Sequence, residues 1–396
     1  GLGSSEAYGG GIFITARDGI TAGDLTVAQT ATGSNQSLFG GIFLQVNPDA
    51  DPAAAGGDLV AGNIKIVLDA GGFSDVSSTA GVHLSNTNFS GTTTIVPTGS
   101  SLKTGNILVT ASGSAHDPAC TSCNPTTSTS SFVSVDAADS IAVGTVTLNG
   151  GGATSNSRDL KVISYRGGDV TLSTLSLNGT SAADIVALAD PGNLGNVGNI
   201  TLAGISGVDA FTADASGVLS IDAGSGTLAL ASTHLRGDSI QLKAGNLALS
   251  GLVDANHGVV ITAAGSVSVA PGPDLLTVDA GGLSIAANLI NIGQSQLFVG
   301  SESMALGNDS ALLAALPADL RPLTPGPNAA FAAAQGVTIG NLTIGGGYLF
   351  VRAPSFASGS ITNGAGSSTS PTLAQAKVTA PLFFNVRPFG DGSNLD

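Results

Sequence analysis

The chain has 396 residues, of which 42% are hydrophobic, 10% are charged and 57 are glycine. Disordered chains combine low hydrophobicity with high charge, so this composition argues against disorder. The formal net charge of −15 argues against nucleic-acid binding, which needs clustered Lys and Arg, and against adsorption to anionic lipid. A core of Val, Ile, Leu and Ala, with Gly, Ser, Thr, Asn and Asp outside it, favours thin and regular β structure.

A short sequence unit recurs along the chain: Gly or Asp, a polar residue, and then an apolar–polar–apolar run. In the central stretch, copies begin at Gly217, Gly226, Gly237, Gly245, Gly258 and Gly265. Alternate copies lie 19 to 21 residues apart, which indicates that two strands make one repeat of about 20 residues. Further copies begin at Gly62, Gly105, Asp139, Arg158, Gly168, Gly198 and Gly340, and the step from Asp139 to Arg158 is interpreted as one repeat.

The alternation within each unit gives a short strand one apolar face, which a lone pair of strands cannot bury. Coiling the chain so that each turn lies on the last pairs the strands in parallel and stacks their apolar side chains inside. A β-sandwich also has frequent turns, but it does not require alternate strands to keep a constant register. The sequence therefore predicts an all-β fold, a right-handed parallel β-helix (solenoid) with rungs of about 20 residues and inserted loops.

The β-helix body is predicted over residues 1–300, with loop insertions at 47–57 and 112–130. Residues 301–335 are predicted to be an irregular insertion with a short helix. Residues 336–396 are predicted to hold further β-strands and a C-terminal capping or contact tail. The tail is the most aromatic part of the sequence, and its candidates for contacts between copies are Phe383, Phe384 and Phe389.

The repeat resembles that of a known family. Two strands per 19–21 residues, such as Gly-Asn-Leu-Ala-Leu at 245–249 and Gly-Ser-Val-Ser-Val at 265–269, resemble the body of filamentous-haemagglutinin-type exoproteins. These are the passengers of bacterial two-partner secretion. The resemblance covers residues 60–300 well and 337–352 weakly. It implies a right-handed β-helix that an outer-membrane transporter exports to the cell surface or medium, where it serves as an adhesin or a biofilm or filament component.

One departure from the family concerns its secretion domain, which carries Asn-Pro-Asn-type motifs. The nearest match here is Asn47-Pro-Asp. The chain begins without Met or a basic segment, so no signal peptide is expected at its start. We interpret the sequence as the interior or mature part of a longer product.

The cysteine pair Cys120-Thr-Ser-Cys123 is the sharpest local feature. A redox Cys-x-x-Cys needs a helix N-terminus to lower the thiol pKa, but here Pro118 and Pro125 flank the pair. A zinc site needs two further ligands, and His116 is the one nearby candidate. A short surface disulfide that pins an exposed loop is the favoured interpretation, and it fits an oxidising compartment.

Other polar residues carry weaker signals. Asp follows a strand at Asp69, Asp136, Asp209, Asp222, Asp254 and Asp279, and the uneven spacing favours turn-closing Asp over a vertical ladder that binds cations or sugar. Four scattered histidines, His83, His116, His234 and His257, are expected to be ordinary turn or surface residues. Residues 391–396 have oxygen ligands at calcium-like spacing without the full loop, so no cofactor is expected and calcium is the one ion left open.

Enzymes built on β-helices need two or three carboxylates in a groove beside Arg or Lys. The close pairs Asp49/Asp51 and Asp136/Asp139 lack such surroundings in the local sequence, so the chain is predicted not to be an enzyme. No apolar run reaches the length of a membrane span. We expect a secreted structural or adhesive surface protein, a β-helical stalk that contacts carbohydrate or protein of a cell surface or matrix. The alternatives are a self-assembling extracellular filament or sheath subunit, and a polysaccharide-acting β-helix enzyme.

Overall fold

The computed structural model of the protein describes residues 6–33, 36–46, 57–72, 76–90, 93–95, 99–115, 126–151, 155–178, 180–190, 192–300, 328–344, 348–363 and 375–378. All regular secondary structure in these residues is β-strand, which confirms the predicted all-β class. Within the same ranges, no helix has the length and apolar character needed to cross a membrane. The chain divides into two compact units, unit 1 (Gly1–Asp209) and unit 2 (Ala210–Asp396).

The described strands of unit 1 are β1 (Glu6–Ala16), β2 (Ile20–Thr21), β3 (Leu25–Gly33), β4 (Gln36–Val46), β5 (Leu59–Ala61), β6 (Ile64–Gly72), β7 (Val76–Ser85), β8 (Asn88–Ser90), β9 (Thr93–Ile95), β10 (Leu102–Thr104), β11 (Ile107–Ala115), β12 (Thr127–Ala137), β13 (Ile141–Gly151), β14 (Ser155–Ser164), β15 (Val170–Leu177), β16 (Thr180–Ala187), β17 (Ile200–Leu202) and β18 (Ile205–Ser206). Strands β8 and β9 form an antiparallel hairpin.

The remaining strands of unit 1 pair in three parallel ladders. Ladder A contains β1, β4, β7, β12, β14 and β16. Ladder B contains β2, β5, β10, the first halves of β13 and β15, and β17. Ladder C contains β3, β6, β11, the second halves of β13 and β15, and β18. The chain thus visits the ladders in the repeating order A, B, C.

The core of unit 1 consists of the inward-facing residues of these ladders. Six residues at matched positions of ladder B are each 5% exposed or less: Ile20, Leu59, Leu102, Ile141, Val170 and Ile200. Burying one such side chain contributes about 1.5–3 kcal/mol. Because successive side chains of a strand alternate, the residues between them point outward.

One pass of the chain through ladders A, B and C, called a turn from here on, contains more residues in unit 1 than the predicted repeat. Asn63 and Asn106, which are hydrogen-bonded across one turn, are 43 residues apart. Asp169 and Asn199, bonded across a later turn, are 30 residues apart. Leu160, which the predicted step from Asp139 to Arg158 would place beside Ile141, lies instead in ladder A. The predicted turn length is therefore wrong for unit 1, where the extra residues lengthen the strands and the segments between them.

The prediction for Arg158 is wrong for the same reason. It was predicted to open a repeat one step after Asp139, but it lies within β14, faces inward and is fully buried. Its guanidinium donates to the carbonyl oxygen and Oγ1 of Thr129, each at 3.4 Å, and occupies the space that a Cβ on Gly150 would need. Burial lowers the pKa of Arg158, and the neighbouring Asp159 carboxylate opposes that shift.

The described strands of unit 2 are β19 (Ala210–Ala215), β20 (Val218–Asp222), β21 (Thr227–Ala244), β22 (Asn246–Ala263), β23 (Ser266–Val269), β24 (Leu276–Ala280), β25 (Leu283–Val299), β26 (Asn328–Ile344), β27 (Tyr348–Arg352), β28 (Phe356–Ser358), β29 (Ile361–Asn363) and β30 (Gln375–Val378).

The register of unit 2 is close to the predicted one in its central part. Leu228 pairs with Leu247, which in turn pairs with Val267. The hydrogen-bonded residues Asn246 and Ser266 of the same turns are 20 residues apart. A later pair of adjacent turns is separated by more residues. There the N–H of Gly340 donates to Ser295 Oγ, and the two residues are 45 positions apart. The ladders therefore continue, in parallel, on both sides of the insertion.

Two predicted boundaries need correction. The predicted loop 112–130 is too wide, because β11 runs to Ala115 and β12 starts at Thr127. The predicted insertion 301–335 ends too late, because β26 starts at Asn328. The rest of that insertion, residues 301–327, lies outside the described residues. So do residues 47–56 of the predicted loop 47–57.

Gly-Asn pairs at the start of strands hold successive turns together. The backbone N–H of Asn106 donates to Asn63 Oδ1 at 3.0 Å, and the N–H of Thr145 donates to Asn106 Oδ1 at 2.8 Å. Gly105 lies so near that a Cβ on it would be 2.7 Å from Asn63 Oδ1. The recurrent Gly-Asn unit therefore combines an acceptor for the next turn with a glycine that makes room for the previous one. In unit 2 the same bond joins Ser266 N–H to Asn246 Oδ1 and Ser360 N–H to Asn341 Oδ1, each at 3.0 Å.

We predict that Asn106→Ala speeds amide hydrogen exchange at Thr145 about fivefold, because one hydrogen bond between turns contributes about 1 kcal/mol. The matched control Asn106→Asp keeps an acceptor oxygen and should leave the exchange rate near that of the wild type. Residue-resolved exchange by NMR measures both. Equal rates in all three proteins would show that the side chain does not stabilise this contact.

Candidate functional site

An aromatic strip lies on the outward face of ladder A in unit 1. It consists of Phe13 on β1, Phe39 and Phe43 on β4, and His83 on β7. Phe13 is 67% exposed and Phe39 is 43% exposed, although most large hydrophobic side chains of the described residues are buried. The strip is therefore a rare apolar surface on a mainly polar exterior.

Parallel register brings three residues of the strip together, whereas Phe39 lies four residues before Phe43 on the same strand. Phe13 pairs with Phe43, and Phe43 pairs with His83. The rings of Phe13 and Phe43 are stacked with centroids 5.0 Å apart and an interplanar angle of 4°. The ring of His83 continues the row, with its centroid 6.3 Å from that of Phe43 and a tilt of 41°.

Glycine lies beneath the rings. A Cβ on Gly11 would be 2.9 Å from Cε2 of Phe13, and a Cβ on Gly41 would collide with the ring of Phe43. Gly81 is covered in the same way by the ring of Phe132 from the next turn. The rings therefore contact the glycine backbone directly, and any larger residue at these glycines would displace them.

His83 ends the strip next to an acidic group. Burial lowers the pKa of His83, and the Asp136 carboxylate opposes that shift. Burial also raises the pKa of Asp136; His83, a 3.2 Å hydrogen bond from Ser134 Oγ and the charge of Lys161 act in the other direction. Both shifts favour the neutral forms, so this end of the strip resists carrying charge.

A carboxylate cluster forms elsewhere on unit 1, from Asp139, Asp169 and Asp190. Arg166 Nη1 lies 3.6 Å from Asp190 Oδ1, and Asn199 Nδ2 donates to Asp169 Oδ1 at 2.8 Å. Burial raises the pKa of Asp139, the Asp190 carboxylate raises it further, and Arg166 lowers it. Three carboxylates and a guanidinium therefore interact across neighbouring turns.

The close carboxylate pairs noted in the sequence, and set aside there as enzyme candidates, have different surroundings. Asp139 belongs to this cluster, whereas Asp136 interacts with His83. The other pair, Asp49 and Asp51, lies outside the described residues. The sequence missed the cluster because its members lie far apart along the chain and meet only through the stacking of turns.

Charged residues of unit 2 stack from turn to turn. Asp254 and Asp279 are register partners, although uneven spacing had argued against a vertical arrangement. Arg236 Nε lies 3.7 Å from the Asp254 carboxylate, and Lys243 Nζ lies 2.8 Å from that of Asp222. Asp254 and Asp222 therefore each have a basic partner on an adjacent turn. In the described part of the chain, no group of three or more His, Cys, Asp or Glu could hold a metal ion.

The histidines have different surroundings. His257 Nδ1 lies 2.7 Å from Asp238 Oδ1, and His234 is exposed on β21. His83 joins the aromatic strip, so it is not the ordinary surface residue that the sequence led us to expect. His116 lies outside the described residues, as do the expected disulfide, tail contacts and calcium-like segment: Cys120, Cys123, Phe383, Phe384, Phe389 and residues 391–396.

The sequence does contain a signal for the strip. Residues 10–13 and 40–43 both read Gly-Gly-Ile-Phe, and residues 80–83 read Ala-Gly-Val-His. The steps between these copies are longer than the predicted repeat, so a search at the spacing of that repeat overlooks them. In these segments the Phe or His side chain faces outward, whereas Ile42 and Val82 are buried in the core.

Comparisons with known proteins give no family assignment. No family model, curated protein or solved structure matches this chain. The resemblance to filamentous-haemagglutinin-type exoproteins therefore stays a prediction from the repeat pattern.

We predict that acidification destabilises the protein through His83. The folded state binds this proton less readily than the unfolded chain does, so the free energy of unfolding falls as pH drops below the unfolded pKa of about 6.5. The raised pKa of Asp136 has the opposite effect, but only near and below that group's own titration. His83→Phe should therefore flatten the decline between about pH 7.5 and 5.5, as measured by urea denaturation with circular dichroism.

The control for that experiment is His234→Phe, which changes an exposed histidine of unit 2. It should keep the pH dependence of the wild type. An equally steep decline in the His83→Phe protein would contradict the assignment of this pH dependence to His83.

Proposed function

We propose that this chain is part of a secreted, non-enzymatic surface protein whose aromatic strip makes adhesive contacts with carbohydrate or protein of a cell surface or matrix. The strip is the observation that carries the proposal, because its stacked Phe13 and Phe43 and its exposed Phe39 are held ready for contact. Exposed apolar patches on soluble proteins mark contact sites, and aromatic side chains dominate the energetics of such contacts.

The scaffold proposed for these contacts is a right-handed parallel β-helix. Support comes from the three parallel ladders of unit 1 and their constant order along the chain. Connections between parallel strands of one sheet are right-handed in nearly all proteins. In such a coil, outward residues of adjacent turns lie about 4.8 Å apart, so a few matched residues produce a continuous flat surface.

The proposed location is extracellular, with export through an outer-membrane transporter. The supporting features are the family resemblance of the repeat, the low content of charged residues, and a cysteine pair that suits an oxidising compartment. Detection of the native protein in cell-surface and medium fractions, but not in the cytoplasmic fraction, is the corresponding check.

An adhesion assay tests the proposed function. We expect beads coated with the full chain to be retained under flow on mucin, fibronectin or extracted biofilm matrix. The double variant Phe13→Ser/Phe39→Ser should lose most of that retention, whereas Leu194→Ser, which removes a 77% exposed side chain elsewhere on unit 1, should not. Circular dichroism confirms that the variants are folded. Failure of the wild type to bind any of the surfaces would overturn the proposal.

A second candidate function is a polysaccharide-acting enzyme, which the cluster of Asp139, Asp169, Asp190 and Arg166 favours. The raised pKa of Asp139 is the property that a general acid needs, and a second carboxylate nearby could act as base. Release of reducing ends from acidic polysaccharide by the wild type, but not by Asp139→Asn, would support this alternative. Continuous fibres of the purified chain in electron micrographs would instead support the filament alternative.

A further inference from the structure

We propose that the aromatic strip binds a neutral polysaccharide, whose sugar rings pack with their C–H faces on the phenylalanines. The proposal rests on the contact function proposed above and names the ligand of the same site. It commits to a polymer without charged groups, laid across β1, β4 and β7.

Ring geometry is the first argument. Aromatic side chains that bind sugars must offer exposed π surface. Among the described residues, the two most exposed phenylalanines are Phe13 and Phe39, which lie on adjacent strands, with Phe39 four residues before the register partner of Phe13. The stack of Phe13 on Phe43 fixes both rings before any ligand arrives. Because this stack and the close contacts with the glycines beneath restrict both rings before binding, little side-chain entropy is lost on binding.

Polarity around the rings is the second argument. The outward residues that share β4 with the phenylalanines are Ser37, Gly41 and Gln45, none of which is charged. Ser37 Oγ accepts a 2.9 Å hydrogen bond from Ser77 Oγ of the next turn, so hydroxyl groups continue in the same direction as the rings. Hydroxyl and amide groups beside an apolar platform match the mixed surface of a sugar ring.

Charge decides against other polymers and surfaces. The formal net charge of the chain is −15, so sulfated or carboxylated polysaccharides and anionic lipid surfaces are repelled at low ionic strength. At the His83 end, burial lowers the pKa of the one titratable group of the strip. A cationic anchor for an acidic polymer is therefore absent from the strip at neutral pH.

Size decides against a folded protein partner. A stable protein interface buries about 800 Å² on each side and involves about 20–30 residues. The strip has four rings on three strands. A polymer needs less surface, because it can lie across successive turns and gain from repeated weak contacts along its length.

The experiment is affinity electrophoresis of the full chain in gels that contain one polymer each: dextran, hydroxyethyl cellulose, galactomannan, heparin or polygalacturonate. We expect at least one of the three neutral polymers to retard the wild type, and neither acidic polymer to do so. Phe13→Leu keeps an apolar side chain but removes the ring, and should weaken retardation about tenfold in apparent affinity. Leu194→Ser is the matched control, which should run like the wild type.

The outcomes separate this inference from the proposed function. If no neutral polymer retards the wild type, or if Phe13→Leu binds as well as the wild type, the inference is overturned. If the strip variants nonetheless lose adhesion in the flow assay, the proposed contact function stands with a different ligand. Retardation by heparin or polygalacturonate alone would also overturn the inference, because it would require a charged ligand. Migration as a dimer in polymer-free gels that is lost in Phe13→Leu would assign the strip to contact between copies instead.

Discussion

The structure depends on one constraint: each strand of the ladders must pair in parallel with a strand one turn away while its alternate side chains remain inside. Backbone N–H and C=O groups find their partners only in adjacent turns, since unpaired buried groups are costly. The aliphatic column from Ile20 to Ile200 shows the result in ladder B, where every matched position is buried. The separation of bonded partners in adjacent turns can change from 43 to 30 residues without disturbing this column, because the added residues lie between the ladder positions.

The same register that stacks the core also stacks the exterior. It aligns Phe13 with Phe43 and then His83, and it joins Asn63 to Asn106 by a hydrogen bond. Local chemistry then decides the consequence: amides bond to the next turn, and opposite charges pair. Aromatic rings, with glycine beneath them, form an exposed apolar surface, which is why we assign contact to this strip.

The sequence was sufficient for the class of fold and insufficient for much of its register. Alternating apolar residues predict buried strand faces wherever they occur, and the step from Leu228 to Leu247 was foreseen. In unit 1 the short strands resemble one another so closely that any of several offsets satisfies the pattern, and distant contacts select the actual one. Arg158 was misplaced because its burial depends on the space above Gly150, on the preceding strand β13. The strip was missed because its sequence segment recurs at longer intervals than the repeat predicted from the core pattern.

The register of unit 1 is the central claim, and engineered cysteine pairs test it most directly. Both variants are made in a Cys120→Ser/Cys123→Ser background. Ile141→Cys/Val170→Cys places cysteines at register partners. Ile141→Cys/Leu160→Cys places them at residues that only the shorter predicted turn would bring together. All three positions are buried, so the pairs are matched. After oxidation during refolding and mass spectrometry of the peptides, we predict a disulfide in the first protein and none in the second. A disulfide in the second protein, or its absence from the first, would contradict the account.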